Sequence, residues 1–259
     1  MELGLHGRQA IVCASSKGLG RACAESLARE GVNLTLNARG SYDLQELATE
    51  LRTLFGVQVN AVAGDITTVA GRSAVLAACP APDILVNNAG GPQLADFRTL
   101  STDDWHAALN ANMLTPIELI KATVDGMIKR GFGRIVNITS GVIKAPIPQF
   151  ELSTGARSGL TGFVASIARQ TVKHNVTINN LLPGFFMTNR VRKAMESIAA
   201  KRGISFAAAM ADRISTIPAG YIGDAAEFGD ACAYLCSSQA RYVTGQNLLI
   251  DGGAYPGTF

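Results

Sequence analysis

The sequence predicts an α/β protein built on a doubly wound parallel sheet, and three observations predict it. Short apolar runs alternate with segments of helical period from the N-terminus onward. Each run is separated from the next by a helical segment, which is the pattern of a parallel sheet covered on both faces. The first run leads into a glycine-rich turn, "CASSKGLG", and then a helix. At 259 residues, 47% of them apolar and 17% charged, the chain holds enough material for a large core and fits a single domain, 1–259.

The elements follow in order. "RQAIVCA" (8–14) reads as the first strand, and 18–31 as a helix with Leu19, Ala22, Cys23, Ser26 and Leu27 on one face, closing at Gly31. "VNLTLNA" reads as strand two. The helix 41–56 after it takes Ser41 as its N-cap and turns Leu44, Leu47, Leu51 and Leu54 inward. "VQVNAVAG" is strand three, "TTVAGRSAVLAAC" a helix, and "DILVNNAG" a strand running into a glycine turn. A long helical region, 102–129, precedes the strand "GRIVNIT", and a second long helix, about 153–173, precedes "VTINNLL". The stretch 191–221 reads as two amphipathic helices joined at Gly203. In such sheets ligands sit beyond the carboxyl ends of the strands, so the chemistry is sought just after each one.

Composition narrows the partners. The net charge is +3 with Lys and Arg scattered, which argues against a nucleic-acid footprint. No stretch approaches the roughly 20 apolar residues of a membrane span, and the N-terminus lacks the pattern of a secretory signal. Five cysteines, 13, 23, 79, 232 and 236, sit mostly in apolar segments and are expected as buried thiols in a reducing cytoplasm. Cys232 and Cys236 lie four apart on a helix, but no third or fourth ligand is in view, so no metal is expected. No Gly-x-Ser-x-Gly elbow occurs. His6, His106 and His174 fall away from the expected site and take no catalytic role.

The glycine-rich turn offers bare N–H groups at a helix N-terminus, which suits a pyrophosphate. After strand two, where an NAD enzyme commonly carries an acid, the chain reads Asn37, Ala38, Arg39. With Lys17, Arg39 supplies two cations for a 2′-phosphate, so NADPH is expected over NADH.

Further motifs stand in a fixed order. "NNAG" (87–90) follows strand four, Asn112 lies in "WHAALNANM", Ser140 ends "GRIVNITS", "NNLLPGFFMT" supplies Pro183, Gly184 and Thr188, and "YVTGQNLLIDGG" comes near the end. In these residues the chain resembles the short-chain dehydrogenase/reductase family over essentially its whole length, and within it the branch of 3-oxoacyl-[acyl-carrier-protein] reductases and related sugar and polyol reductases. The resemblance implies a Rossmann-like sheet with a helical substrate lid at about 188–220. It implies cofactor contacts at Ala14, Ser15, Ser16, Lys17, Gly18, Leu19, Gly20 and Arg39, with Asp65 and Ile66 beside the adenine and Asn88, Ala89 and Gly90 along the groove. Pro183, Gly184 and Thr188 flank the nicotinamide, and Ile138, Arg157 and Phe186 complete the set. Catalysis falls to Asn112, Ser140, Ser153 and Arg157. The two long helices resemble those that pair between subunits of a homotetramer in this family.

Two departures stand out. Ala14 replaces the first glycine of the family's turn, which is tolerable if the backbone there has negative φ. The family's Tyr-x-x-x-Lys pair lands on Ser153 and Arg157 in "FELSTGARSGLTGF". A serine lacks the acidity and reach of a phenol, and an arginine holds its proton. Three readings follow: an NADPH-dependent carbonyl reductase in which Ser140, Ser153 and a water near Asn112 polarise the carbonyl and Arg157 stabilises the alkoxide; a catalytically impaired NADPH-binding module or sensor subunit; or another reaction that uses Lys144 or Glu151. The lid charges Arg190, Arg192, Lys193, Lys201, Arg202 and Arg213 would suit an anionic substrate where they face the cleft, although most are expected to face water.

Overall fold

Seven short runs of aliphatic residues pair edge to edge, and every pairing is parallel. The computed structural model describes residues 2–258. The strands are β1 (Gln9–Val12), β2 (Asn33–Ala38), β3 (Val59–Ala63), β4 (Ile84–Asn87), β5 (Gly133–Ile138), β6 (Val176–Pro183) and β7 (Asn247–Ile250), in the order β3-β2-β1-β4-β5-β6-β7. The order reverses between β1 and β4, which opens a crevice at their carboxyl ends. A single Rossmann-like domain results, as the alternation of runs predicts.

Helices cover both faces of the sheet, and its central strands are buried on both. On one face α1 (Gly18–Arg29), α2 (Ser41–Phe55) and α9 (Ala225–Cys236) bring Leu27, Leu44, Leu47 and Phe228 onto Val12, Leu36 and Val86. On the other, α3 (Val69–Ala78), α5 (Thr115–Arg130) and α6 (Glu151–Thr171) bring Val75, Leu119, Leu160 and Val164 onto Ile11, Leu85 and Ile135. The five cysteines are free and buried within these layers, and burial pushes the Cys13 thiol up to about 12, with the Asn88 backbone opposing it weakly.

The helix 102–129 is not uniform. It consists of α4 (Thr102–Leu109), a π-helical turn at Asn110–Leu114, and α5. Beyond β6, α7 (Asn189–Arg202) and α8 (Phe206–Ile214) meet at Gly203, which ends α7 in the left-handed conformation with φ 64°.

Three local expectations are corrected. Leu54 is 63% exposed, because at 100° per residue it lies about 80° from the Leu44 direction; Phe55, near that direction, packs on the core instead. The N-cap of α2 is Gly40, and Ser41 is the first helical residue. Ala14 does not have negative φ: its φ is +46°, so the alanine occupies the left-handed region at a cost of about 1–2 kcal/mol. The turn demands that geometry because the Ala14 carbonyl must face inward to accept the Asn88 side-chain amide at 3.2 Å. Gly20 crosses directly over the same carbonyl, and a Cβ there would sit 2.4 Å from it.

Four strands are also tied by a feature no motif announced. Asn87 donates to Asn137 (2.8 Å), Asn137 to Asn180 (3.0 Å) and Asn180 to Asn247 (2.8 Å). These residues are direct register partners on β4, β5, β6 and β7, so one side-chain ladder runs across the sheet. Replacing the middle rung, Asn137→Leu, strands an amide on each side and is expected to lower stability by about 2–4 kcal/mol in urea unfolding. In the same titration Ala14→Gly, which relieves the left-handed alanine, is expected to raise stability by about 1 kcal/mol.

Candidate active site

The β1–α1 turn presents its N–H groups unshielded. Thr68, Ser101, Ser205 and Asp224 cap their helices with side-chain bonds, whereas the N-cap of α1, Lys17, makes none. The first-turn donors of Gly18, Leu19 and Gly20 therefore keep unspent hydrogen-bonding capacity, backed by the positive end of the helix dipole. Ser15 is fully buried and donates to the Asn37 carbonyl, while Ser16 lines the groove with Lys17, Gly18 and Thr188. Thr188 caps α7 by accepting the Val191 N–H at 3.3 Å. The turn and the start of α7 thus border one groove, and the close approach at Gly20 packs the first turn of α1 against the Ala14 carbonyl and the Asn88 amide.

The two cations expected beside strand two differ in state. Lys17 is paired with Asp43 at 2.7 Å on the surface, a contact worth little against a phosphate competitor. Arg39 is exposed and has no ion-pair partner among the described residues. Asn37 turns inward, donating to the carbonyls of Val62 and Gly64, so it ties β2 to β3 rather than reaching a ligand. At the end of β3, the N–H and hydroxyl of Thr67 hold the Asp65 carboxyl below its ordinary range, with Arg39 assisting. Ile66 beside it is buried.

At the far end, β4 delivers Asn88, Ala89 and Gly90, β5 delivers Ile138 and Ser140, and β6 delivers Pro183, Gly184 and buried Phe186. Ser140 accepts the Val142 N–H at 3.4 Å, which leaves its own proton free to donate. Asn112 is buried in the π-helical turn, its amide donating to the Ala108 carbonyl at 3.3 Å. A cavity of about 260 Å³ joins Asn112 to Gly90, Pro92 and Leu152. Asp104 also lines it, but its carboxylate is engaged by Gln93 and Ser101.

Ser153 and Arg157 face each other one turn apart on α6. The Arg157 Nη1 donates to Ser153 Oγ at 2.6 Å, and both residues are buried. No carboxylate pairs with this guanidinium among the described residues, and its Nε has no partner. Burial pushes Arg157 down to about 10, and the like charge of Arg190 adds to the effect. An ordinary arginine holds its proton more firmly; this one remains charged at neutral pH at a cost to the fold on the order of 3 kcal/mol. The bond to Ser153 favours negative charge on that oxygen and leaves the serine proton free to point into the cleft.

The alternative acid and base make no hydrogen bond to this pair among the described residues. The Lys144 ammonium lies 5.8 Å from the Tyr255 ring, and Glu151 accepts the Gln149 N–H with one carboxylate oxygen while the other is buried without a partner. Of the charges on α7 and α8, Arg202 pairs with Asp212, Arg192 lies over Phe206, and Arg213 stacks 3.7 Å from the Phe185 ring. Lys193 and Lys201 face water. Arg190 departs from the rest: it reaches across the cleft mouth, 3.4 Å from the Pro92 carbonyl.

Residues 13–255 match a family model described as Enoyl-(Acyl carrier protein) reductase. The chain is 32% identical over 258 residues to the 3-oxoacyl-[acyl-carrier-protein] reductase FabG of Vibrio harveyi, covering 98% of this chain and 99% of that one. It is 29% identical over 252 residues to the NADPH-dependent reductase BacG of Bacillus subtilis (strain 168), covering 95% and 97%. It superposes on the L-sorbose reductase of Gluconobacter frateurii, solved with NADPH and L-sorbose, at a TM-score of 0.95 and 28% identity over 100% of both chains.

Because Arg157 is a buried cation without a counter-ion, Arg157→Met is expected to raise the urea midpoint of the ligand-free protein, although it removes a site residue. The wild-type penalty is present in full at neutral pH. It fades as pH rises through about 10 toward the ordinary arginine range, so the advantage of the Met variant is expected to narrow there.

Proposed function

The chain belongs to the short-chain dehydrogenase/reductase family, and from that premise we propose that it is an NADPH-dependent carbonyl reductase acting on a 3-oxoacyl thioester or a similar keto substrate. The named activities of its relatives support the class: a 3-oxoacyl-[acyl-carrier-protein] reductase, an NADPH-dependent reductase, and a sugar reductase solved with NADPH. The uncapped N-terminus of α1 and the groove that Ser16, Lys17 and Gly18 line with Thr188 fit that cofactor.

Residues Ala14 to Gly20 hold the pyrophosphate. Arg39 takes the 2′-phosphate, joined by Lys17 when it exchanges Asp43 for the stronger anion. Asp65 and Ile66 border the adenine, and Asn88, Ala89 and Gly90 line the groove. Ile138, Pro183, Gly184, Phe186 and Thr188 enclose the nicotinamide end, with Arg157 at the ribose. NADPH, when bound, supplies the hydride that adds to the carbonyl carbon.

The protein's own work is at the oxygen. Ser140 and Ser153 donate hydrogen bonds to the carbonyl, and Arg157 stabilises the alkoxide that develops there through its bond to Ser153. Water held near Asn112 delivers the proton from solvent. The observation that supports the reading most is the 2.6 Å Arg157–Ser153 bond, in which a guanidinium polarises the hydroxyl at the sequence position of the family's Tyr. Lacking a true general acid costs roughly 10²- to 10⁴-fold in rate, which still leaves appreciable turnover because the hydride chemistry belongs to the cofactor.

We assign 188–220 as the substrate lid and place the enzyme in the cytoplasm as a homotetramer paired through α5 and α6. No helix among the described residues is long and apolar enough to cross a membrane.

The test is NADPH oxidation with acetoacetyl-thioester, ketone and keto-acid substrates, with NADPH binding titrated and elution volume measured on the same preparation. Turnover is expected to fall by at least roughly 100-fold in Ser140→Ala with cofactor affinity unchanged. Tight NADPH binding without turnover on any substrate would replace this reading with the binding-module one.

A further inference from the structure

Positive charge also gathers at the other edge of the sheet, where the amino ends of the strands lie away from the carboxyl-end crevice. Arg8 precedes β1, Phe132 and Arg134 flank the first residue of β5, and Arg241 lies between α9 and β7; the four line one cavity of about 360 Å³. The Arg8 guanidinium lies 3.8 Å from the centre of the Phe132 ring and that of Arg134 4.4 Å, so one aromatic ring holds two cations. Arg134 is 1% exposed and meets only neutral acceptors: the carbonyls of Ser237, Gly133 and Asn175 and the Asn175 side chain. The carboxylate that pairs here, Asp83, is divided between Arg8 at 3.7 Å and Arg130 at 3.8 Å. Arg241 is exposed and makes no ion pair among the described residues. The neutral side chains of the wall turn elsewhere: Ser238 donates to the Leu3 carbonyl at 3.0 Å, Gln239 to the Glu2 carbonyl and Asn175 to the Gly131 carbonyl at 2.9 Å. The unspent donors of this cavity therefore belong to its arginines.

We propose that this cavity is a second anion site, selective for a phosphate group and separate from the cofactor groove. Cations supplied by three separate chain segments suit a tetrahedral dianion, which presents oxygens in several directions, better than a carboxylate, whose two oxygens share one plane. The phosphate brings the counter-charge that Arg134 lacks and that Asp83 divides between two other arginines. Inorganic phosphate and a phosphate monoester both carry the required group. The cofactor groove is built differently, from the uncapped start of α1 and the first residues of α7, so filling it leaves the charge at this edge unbalanced. The site does not depend on the reductase reading.

The experiment records thermal stabilisation by inorganic phosphate and by glycerol 3-phosphate, against sodium chloride at matched ionic strength, in wild-type protein and in Arg241→Ala, Arg8→Gln and Arg39→Ala. Titration calorimetry with inorganic phosphate gives the affinity, with and without saturating NADPH. The Arg241 side chain is exposed, so its removal leaves the core untouched, and the melting temperature without phosphate checks this. Phosphate is expected to stabilise beyond chloride, with affinity weakened at least roughly tenfold in Arg241→Ala and in Arg8→Gln but unchanged in Arg39→Ala and in the presence of NADPH. Glycerol 3-phosphate binding as tightly as inorganic phosphate would assign the site to a monoester, and weaker binding would assign it to the free ion. Stabilisation no greater than that by chloride would overturn the proposal. So would affinity retained in both Arg241→Ala and Arg8→Gln, or lost in Arg39→Ala and displaced by NADPH, because the phosphate would then sit in the cofactor groove.

Discussion

The asparagine ladder through Asn87, Asn137, Asn180 and Asn247 sets the level on which everything else stands. A buried amide cannot slip without abandoning both of its partners, and in a low-dielectric interior that loss is severe. The ladder therefore fixes where β4, β5 and β6 end. Asn88 follows one residue after its rung, and Ser140 and Pro183 each follow three after theirs. Site residues separated by about a hundred positions in sequence reach one edge of the sheet because three amide bonds hold the strands in step.

Against that rigid edge, the helix side of the site is under electrostatic load. Arg157 is paid for by the rest of the core rather than by a partner, and its hydrogen bond to Ser153 is the product of that arrangement. A phenol with a lysine beside it provides a proton and a modest charge. A serine with a buried guanidinium beside it provides a stronger fixed charge and no readily released proton. In the reading proposed above, the chemistry shifts from acid catalysis toward stabilisation of an oxyanion.

The cofactor end works by the opposite principle. Helices elsewhere in the chain spend side-chain oxygens on their N-termini, whereas α1 spends none, and Ala14 accepts a left-handed backbone so that its carbonyl faces inward under Gly20. The local strain at Ala14 and the bare donors of α1 keep backbone, rather than side chain, pointing at the groove.

The sequence by itself determined the alternation of strands and helices, the two helices meeting at Gly203, the cofactor turn, and the replacement of a Tyr-Lys pair by Ser153 and Arg157. Each of these is written in local periodicity or in residues at short spacing, where hydrophobic pattern and turn chemistry act within a few positions. Tertiary structure alone decided the rest. The sign of φ at Ala14 depends on Asn88, 74 residues away. The capture of Lys17 by Asp43 and the inward turn of Asn37 depend on which neighbours the sheet supplies. Asparagines in four separate strands read as scattered polar residues until the register aligns them. Arg190 reads as one cation among several in its segment until the fold sets it over Gly91 and beside the Pro92 carbonyl. Charge and hydrogen bonding act through space, so their consequences become definite only when the chain has brought distant groups together.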